Sequence, residues 1–166
     1  MKKLHYLLLF LVITSCGLLK KTPINQKDAE GKRTGRWISY WNDSLKIKMY
    51  DGCYANDRET KTCRYYHQNG KPSVTFKYDK TGINVKFREP DGRLIQKGRS
   101  VINYTKDSIA YYYNGKWKFY DEQGKLQKVS VYEMGVEKYL LKERLENGKM
   151  FRYHPPKKLE ETSLRN

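Results

Sequence analysis

A chain of 166 residues has room for one domain of ordinary size once a leader and a tail are set aside, so a single domain is the expectation. Aromatic residues make up 14% of the chain and fifteen residues are tyrosine, so large amphipathic rings rather than Leu and Ile must build the core, and such rings favour strands over helices. The formal charge of +16 attracts any anionic partner, whether nucleic acid, anionic lipid, lipopolysaccharide or acidic polymer; equally, lysines on the solvent side of a sheet keep strand edges soluble.

The first fifteen residues read as a secretory leader. Lys2 and Lys3 precede an apolar run from Tyr6 to Ile13 that is too short for the roughly 20 residues a bilayer span needs. The run ends in Ile13-Thr14-Ser15-Cys16. This resembles the lipobox of bacterial lipoproteins, in which the cysteine is lipidated and becomes the new N-terminus. The resemblance implies that Cys16 carries a membrane anchor and is not a redox group. Several acyl chains, at about 0.8 kcal/mol per buried methylene, hold far better than one. Gly17-Leu18-Leu19-Lys20-Lys21 follows, without the Asp that retains lipoproteins at the inner membrane or the acidic run that marks surface export. Resemblance therefore implies an outer-membrane protein facing the periplasm. Residues 16–30 show no periodicity and read as the lipidated cysteine and a flexible tether.

From residue 31 a strand-and-turn unit recurs, clearest in Asn114-Gly115-Lys116-Trp117-Lys118-Phe119-Tyr120-Asp121-Glu122-Gln123-Gly124-Lys125-Leu126. Trp117 and Phe119 alternate with polar neighbours, and Gly124 tolerates positive φ where the chain reverses. The anchor and the turn residue seven positions later recur as Trp37 with Ser44, Cys63 with Gly70, Val85 with Gly92 and Leu141 with Gly148. Each unit is a β-hairpin of about 22 to 26 residues that must share its apolar face with its neighbours. Gly35-Arg36-Trp37-Ile38-Ser39-Tyr40, and Gly115-Lys116-Trp117-Lys118-Phe119-Tyr120 with Gly124-Lys125-Leu126, resemble the variant MORN repeat, Gly-x-Trp-x-x-Tyr with a downstream Gly-x-Leu. The resemblance covers about residues 31–150.

The expected fold is therefore all-β: a single antiparallel meander of hairpin repeats, MORN-like, over residues 31–152. Up to ten short strands would form a curled open sheet, with closure into a small barrel as the alternative. The rhythm breaks between Arg99 and Tyr113, where Asn103 to Ser108 reads as a longer loop and a place where function often resides. Residues 153–166, with Pro155-Pro156, read as a disordered tail.

Cys53 and Cys63 flank Ala55-Asn56-Asp57-Arg58-Glu59, and with Arg58 at the centre of the reversal they face each other as a possible disulfide; alternatively Cys63 packs inward in the tryptophan position. Cys53, Cys63 and His67 match no compact zinc spacing, so no metal and no cofactor are expected. The acidic residues sit mostly in turns, where they cap the reversal, and no nucleophile elbow or phosphate loop is present, so no enzyme is expected. Exposed rings at Trp41, Tyr65, Tyr104, Tyr111, Tyr112 and Tyr113, interleaved with Lys and Arg, are either a binding surface or cross-strand ladders that stabilise an exposed sheet. The expectation is a membrane-anchored envelope lipoprotein whose repeat domain is a protein-binding or assembly surface. The alternatives are capture of anionic lipid or cell-wall polymer and, from the antitoxin-like label many variant-MORN proteins carry, neutralisation of a toxin. The leader argues against a nucleic-acid target.

Overall fold

A computed structural model describes residues 23–105 and 109–159, so Cys16, the leader and the last seven residues lie outside the described residues. The strands are β1 (Gln26–Lys27), β2 (Arg33–Asn42), β3 (Ile47–Ala55), β4 (Arg58–Tyr66), β5 (Pro72–Asp79), β6 (Gly82–Arg88), β7 (Leu94–Tyr104), β8 (Ile109–Tyr120), β9 (Leu126–Glu133), β10 (Val136–Arg144) and β11 (Met150–Lys158). They pair in sequence order as one 11-stranded antiparallel meander. β1 and β11 do not pair with each other, so the sheet is open and the barrel alternative falls.

One turn, reused, sets the rhythm. At the β8–β9 connection the Asp121 carbonyl accepts from Gly124 N at 2.9 Å, Asp121 N donates to the Lys125 carbonyl at 2.9 Å, and Gly124 takes φ 75°. His67–Lys71, Glu89–Arg93 and Leu145–Lys149 repeat both bonds around Gly70, Gly92 and Gly148 on the same edge of the sheet. Only glycine adopts such a φ without strain. The first copy has Ser44 there, and its turn instead places Lys46 at φ 54° while Asn42 Oδ1 accepts from Leu45 N.

The repeat anchors meet in one row across the sheet. Pairing runs Cys63, Phe76, Val85, Gly98, Trp117, Ser130, Leu140, and Trp37 joins it through Gly52. Cys63 and Trp117 are 0% exposed and Val85 is 2%. The fifth anchor is Leu140 and not Leu141, because register shifts in β10 move the inward side by one. Trp117 lies flat across Gly98, and Tyr113 stacks on it at 3.6 Å between ring centroids.

The sheet curls towards these rings. β5 and β8 would stand roughly 14 Å apart in a flat sheet, three spacings of ~4.8 Å. Yet Phe76 and Tyr111 stack with centroids 5.6 Å apart, and the Arg58 guanidinium of β4 sits 4.6 Å from the Tyr104 ring of β7. The aromatic face is therefore concave and the opposite face convex.

Three expectations are corrected. Within the interval from Arg99 to Tyr113, residues 99–104 and 109–113 are the ends of the two longest strands, β7 and β8, and residues 106–108 of the expected loop lie outside the described residues. Residues 101–104 and 109–112 pair only with each other, as a ribbon past the sheet edge. The tail begins later than residue 153, since β11 continues to Lys158 and Leu159 N donates to the Lys138 carbonyl. Pro155 and Pro156 are tolerated there because they lie in a bulge of the edge strand, between Arg152 opposite Lys142 and Lys157 opposite Leu140, where residues 153–156 have no ladder partner to lose. Residues 24–27 are not tether but a cap on β2. Asn25 N donates to the Arg36 carbonyl at 2.8 Å, and its side-chain amide bonds both backbone groups of Ile38, at 3.0 and 2.7 Å, as a further peptide would.

Candidate functional site

Alternation sends every second residue to the convex face, and there the registers align charge. Beside the core row runs a second one: Arg64 opposite Thr75, Thr75 opposite Lys86, Lys86 opposite Lys97, Lys97 opposite Lys118, Lys118 opposite Val129, Val129 opposite Lys142, and Lys142 opposite Arg152. Seven strand spacings make this row roughly 34 Å long. None of its six cations forms an ion pair among the described residues. Asp51, which pairs with Arg64 across the strands, gives its carboxylate to Arg36 at 2.8 Å and Lys48 at 2.7 Å instead. Bonding by Arg36 holds the Asp51 carboxyl below the usual carboxylate range. Val129, in the same row, is only 4% exposed.

Arg99 and Lys116 flank the centre of the row. With Lys86, Lys97 and Lys118 they border an open cleft of about 290 Å³ floored by Val85 and Gly98. Arg99 bonds both oxygens of Asp79, at 3.1 and 2.6 Å, and this bonding holds the Asp79 carboxyl well below its ordinary range. Lys97 Nζ stands 5.7 Å from the Tyr120 ring centroid.

Carboxylates on the concave face are clamped by tyrosines. Glu59 accepts from Tyr65 at 2.7 Å and Tyr78 at 2.5 Å, Glu137 from Tyr132 at 3.1 Å, and Glu143 from Tyr153. Burial first, and then the Glu59 carboxylate, push the Tyr65 and Tyr78 hydroxyls up, so they remain donors. Both Glu59 oxygens are occupied, which makes the group a cross-strand tie rather than a free acid or base.

The aromatic candidates do not form one patch. Tyr65 belongs to the concave face, edge-on to Tyr50 and Phe76; Tyr113 stacks on Trp117 and accepts from Gln96 Nε2 at 2.7 Å. Tyr104 and Tyr111 lie on the ribbon against Arg58 and Phe76, while Tyr112 meets Gly135 near the same edge. Trp41 is at the other edge, donating from Nε1 to the Tyr66 carbonyl at 2.9 Å.

The disulfide expectation is corrected as well. Asn56-Asp57 form the reversal, Cys53 is opposite Thr60, and a bulge separates that register from Asp51 opposite Arg64. Cys63 therefore stands over Gly52 on the concave face while Cys53 points to the convex one, and both are free thiols. Cys63 instead takes the core alternative, its Sγ 3.4 Å from the Thr60 carbonyl, and burial pushes its thiol up. His67 Nε2 lies 2.9 Å from the Arg88 carbonyl and so carries a proton there, away from the cysteines.

The lysine row is the feature that reading the sequence missed. The basic residues look dispersed along the chain; only the pairing register brings Lys86, Lys97 and Lys118 side by side. Fold and site together define an open, capped β-repeat sheet with a ring-lined concave face and a cationic convex one. No family model matches the chain, and no curated protein does. A solved structure, that of a GtfA/B complex, matches 57% of this chain and 20% of its own at 22% identity, with a TM-score of 0.21. At that score the match bears on neither fold nor function.

Proposed function

We propose that this chain is a non-enzymatic bacterial envelope lipoprotein of the variant MORN type, held at the outer membrane by lipid on Cys16. Its convex face is the docking surface for another, anionic envelope component. The observation that carries this reading is the row of six cations without an ion pair among the described residues. Lysines placed only for solubility are best interspersed with acids, whereas here Lys97 faces a like charge on both sides, an arrangement that destabilises a sheet. An anionic partner removes that penalty.

The test is retention of the mature protein, in nonionic detergent, on envelope fragments from cells lacking it. Retention at low salt and release at high salt is expected, because exposed charges are screened within a Debye length of about 8 Å at physiological ionic strength. Equal retention at both salts would contradict the reading. Two further results would also count against it: turnover of a substrate abolished by Glu59→Gln, or a Cys16→Ser variant that stays with the membranes.

A further inference from the structure

Resting on that reading, the geometry points to a linear polyanion, with phosphate charges recurring along its backbone, that lies across the strands along the row from Arg64 to Arg152 and is gripped hardest at Lys86, Lys97 and Lys118. The row is a line, not a disc. Its cations follow the hydrogen-bonding direction of the sheet, one per strand at a spacing of ~4.8 Å, interrupted only by Thr75 and Val129. A ligand that satisfies it must be at least as long as the row and carry charge at short, regular intervals.

Curvature decides between a chain and a bilayer. The cationic face is the convex one, since the rings of β5 and β8 close up on the other side. A planar membrane meets a convex cylinder along a narrow contact parallel to the strands, whereas the row runs around the curve and most of it would be lifted off the plane. A flexible polymer can follow it.

The residue types suit capture without fine selectivity. Four of the six members are lysine, whose ammonium is a point charge with three rotatable donors and which demands no planar, forked acceptor. The open cleft that Lys86, Lys97, Lys116 and Lys118 line together with Val85 and Gly98 gives one phosphate group a recess within reach of lysines from three strands. Arg99 at its rim is already committed to Asp79 and so fixes the wall more than it binds.

The experiment uses the mature protein in nonionic detergent and an end-labelled long polyphosphate, with tripolyphosphate and inorganic phosphate as competitors and vesicles of anionic phospholipid as a separate arm. Two triple variants remove the same charge: Lys86→Gln/Lys97→Gln/Lys118→Gln in the row, and Lys32→Gln/Lys125→Gln/Lys149→Gln at exposed turn positions. The row variant should lose affinity for the long chain by about a hundredfold, taking each lysine beside an anionic surface at its usual worth, and the turn variant by about threefold or less. Competition should rise steeply from inorganic phosphate to tripolyphosphate to the long chain. Equal losses in the two variants, or equal competition per phosphate at every length, would overturn the inference while leaving electrostatic docking intact. Stronger dependence of vesicle binding than of polymer binding on the row would assign the face to a membrane and overturn it too. No binding of the unmodified protein to either probe, together with salt-insensitive retention on envelope fragments, would remove the functional reading itself.

Discussion

Gly98→Ala tests the packing that brings the two faces into register. Gly98 has an ordinary φ, so alanine costs nothing in backbone strain, and any effect must come from the ring that covers it. A Cβ at this position would stand 2.6 Å from Trp117 Cε2 and closer still to Cγ and Cδ2, against ordinary carbon contacts of about 3.5–4.0 Å. The indole must retreat by about 1 Å, and Tyr113, stacked on it at 3.6 Å, closes one way out. Overpacking of this kind costs about 1–3 kcal/mol. Retreat also stretches the bond from Trp117 Nε1 to the Arg99 carbonyl, 2.6 Å long, and a buried donor left without its partner costs roughly 1–3 kcal/mol more. The expected total is about 3 kcal/mol, read as a lower urea midpoint at unchanged slope by far-ultraviolet circular dichroism. Combined with Trp117→Leu, most of the Gly98→Ala penalty should vanish, because a smaller side chain leaves the space. A Gly98→Ala variant within about 0.5 kcal/mol of the parent, or fully additive substitutions, would refute the account of how the core row is built.

Three other outcomes follow. Lys97→Gln should raise stability by roughly 0.5 kcal/mol at low salt and by less at high salt, since it removes like charges on both sides at the expense of a weak contact with Tyr120; a loss of stability would show that the lysines are not in mutual repulsion. Alkylation of the native protein should label Cys53 and spare Cys63, with both labelled after unfolding and no mass change on reduction; a bridged species would contradict the opposite-face placement. Because Arg36 depresses the folded-state pKa of Asp51 below the ordinary 3.8, this carboxylate contributes stability that is fully present above that value and is lost as pH falls through the lower, folded one. Asp51→Asn should therefore flatten the acid limb of a stability–pH curve, and an unchanged limb would exclude the pairing as its source.

The fold was largely legible because its repeat is local. The turn at Gly124, the alternation around Trp117 and the seven-residue spacing between anchor and turn residue all lie within single hairpins, and the structure lines up Cys63, Val85 and Trp117 in one row as that spacing implies. Where the expectation slipped, a bulge or an edge intervened. Register shifts in β10 moved the inward anchor to Leu140, and the bulge in the β3–β4 hairpin turned Cys53 away from Cys63. Pro155 and Pro156 looked like the end of order and instead lie in an edge strand. The candidate site was the least legible part. Trp41 and the tyrosines stand out in the sequence, but curl and pairing decide their surroundings, and Tyr65 and Tyr113 are absorbed into the concave face. Lys86, Lys97 and Lys118 lie on three different strands, and only a register set by two hairpins makes them neighbours. Even so, each strand centre carried a signal in the flanks of its inward anchor, with Lys86 beside Val85, Lys97 beside Gly98 and Lys118 beside Trp117.

The most direct test is a footprint on the protein where it resides. Intact envelopes and the purified mature protein are acetylated briefly under matched conditions, and each lysine is quantified by mass spectrometry. The account predicts that Lys86, Lys97 and Lys118 react several-fold more slowly in envelopes than in the purified protein, that Lys32, Lys125 and Lys149 react alike in both, and that high salt abolishes the protection. Uniform reactivity of all six lysines in both preparations would contradict it.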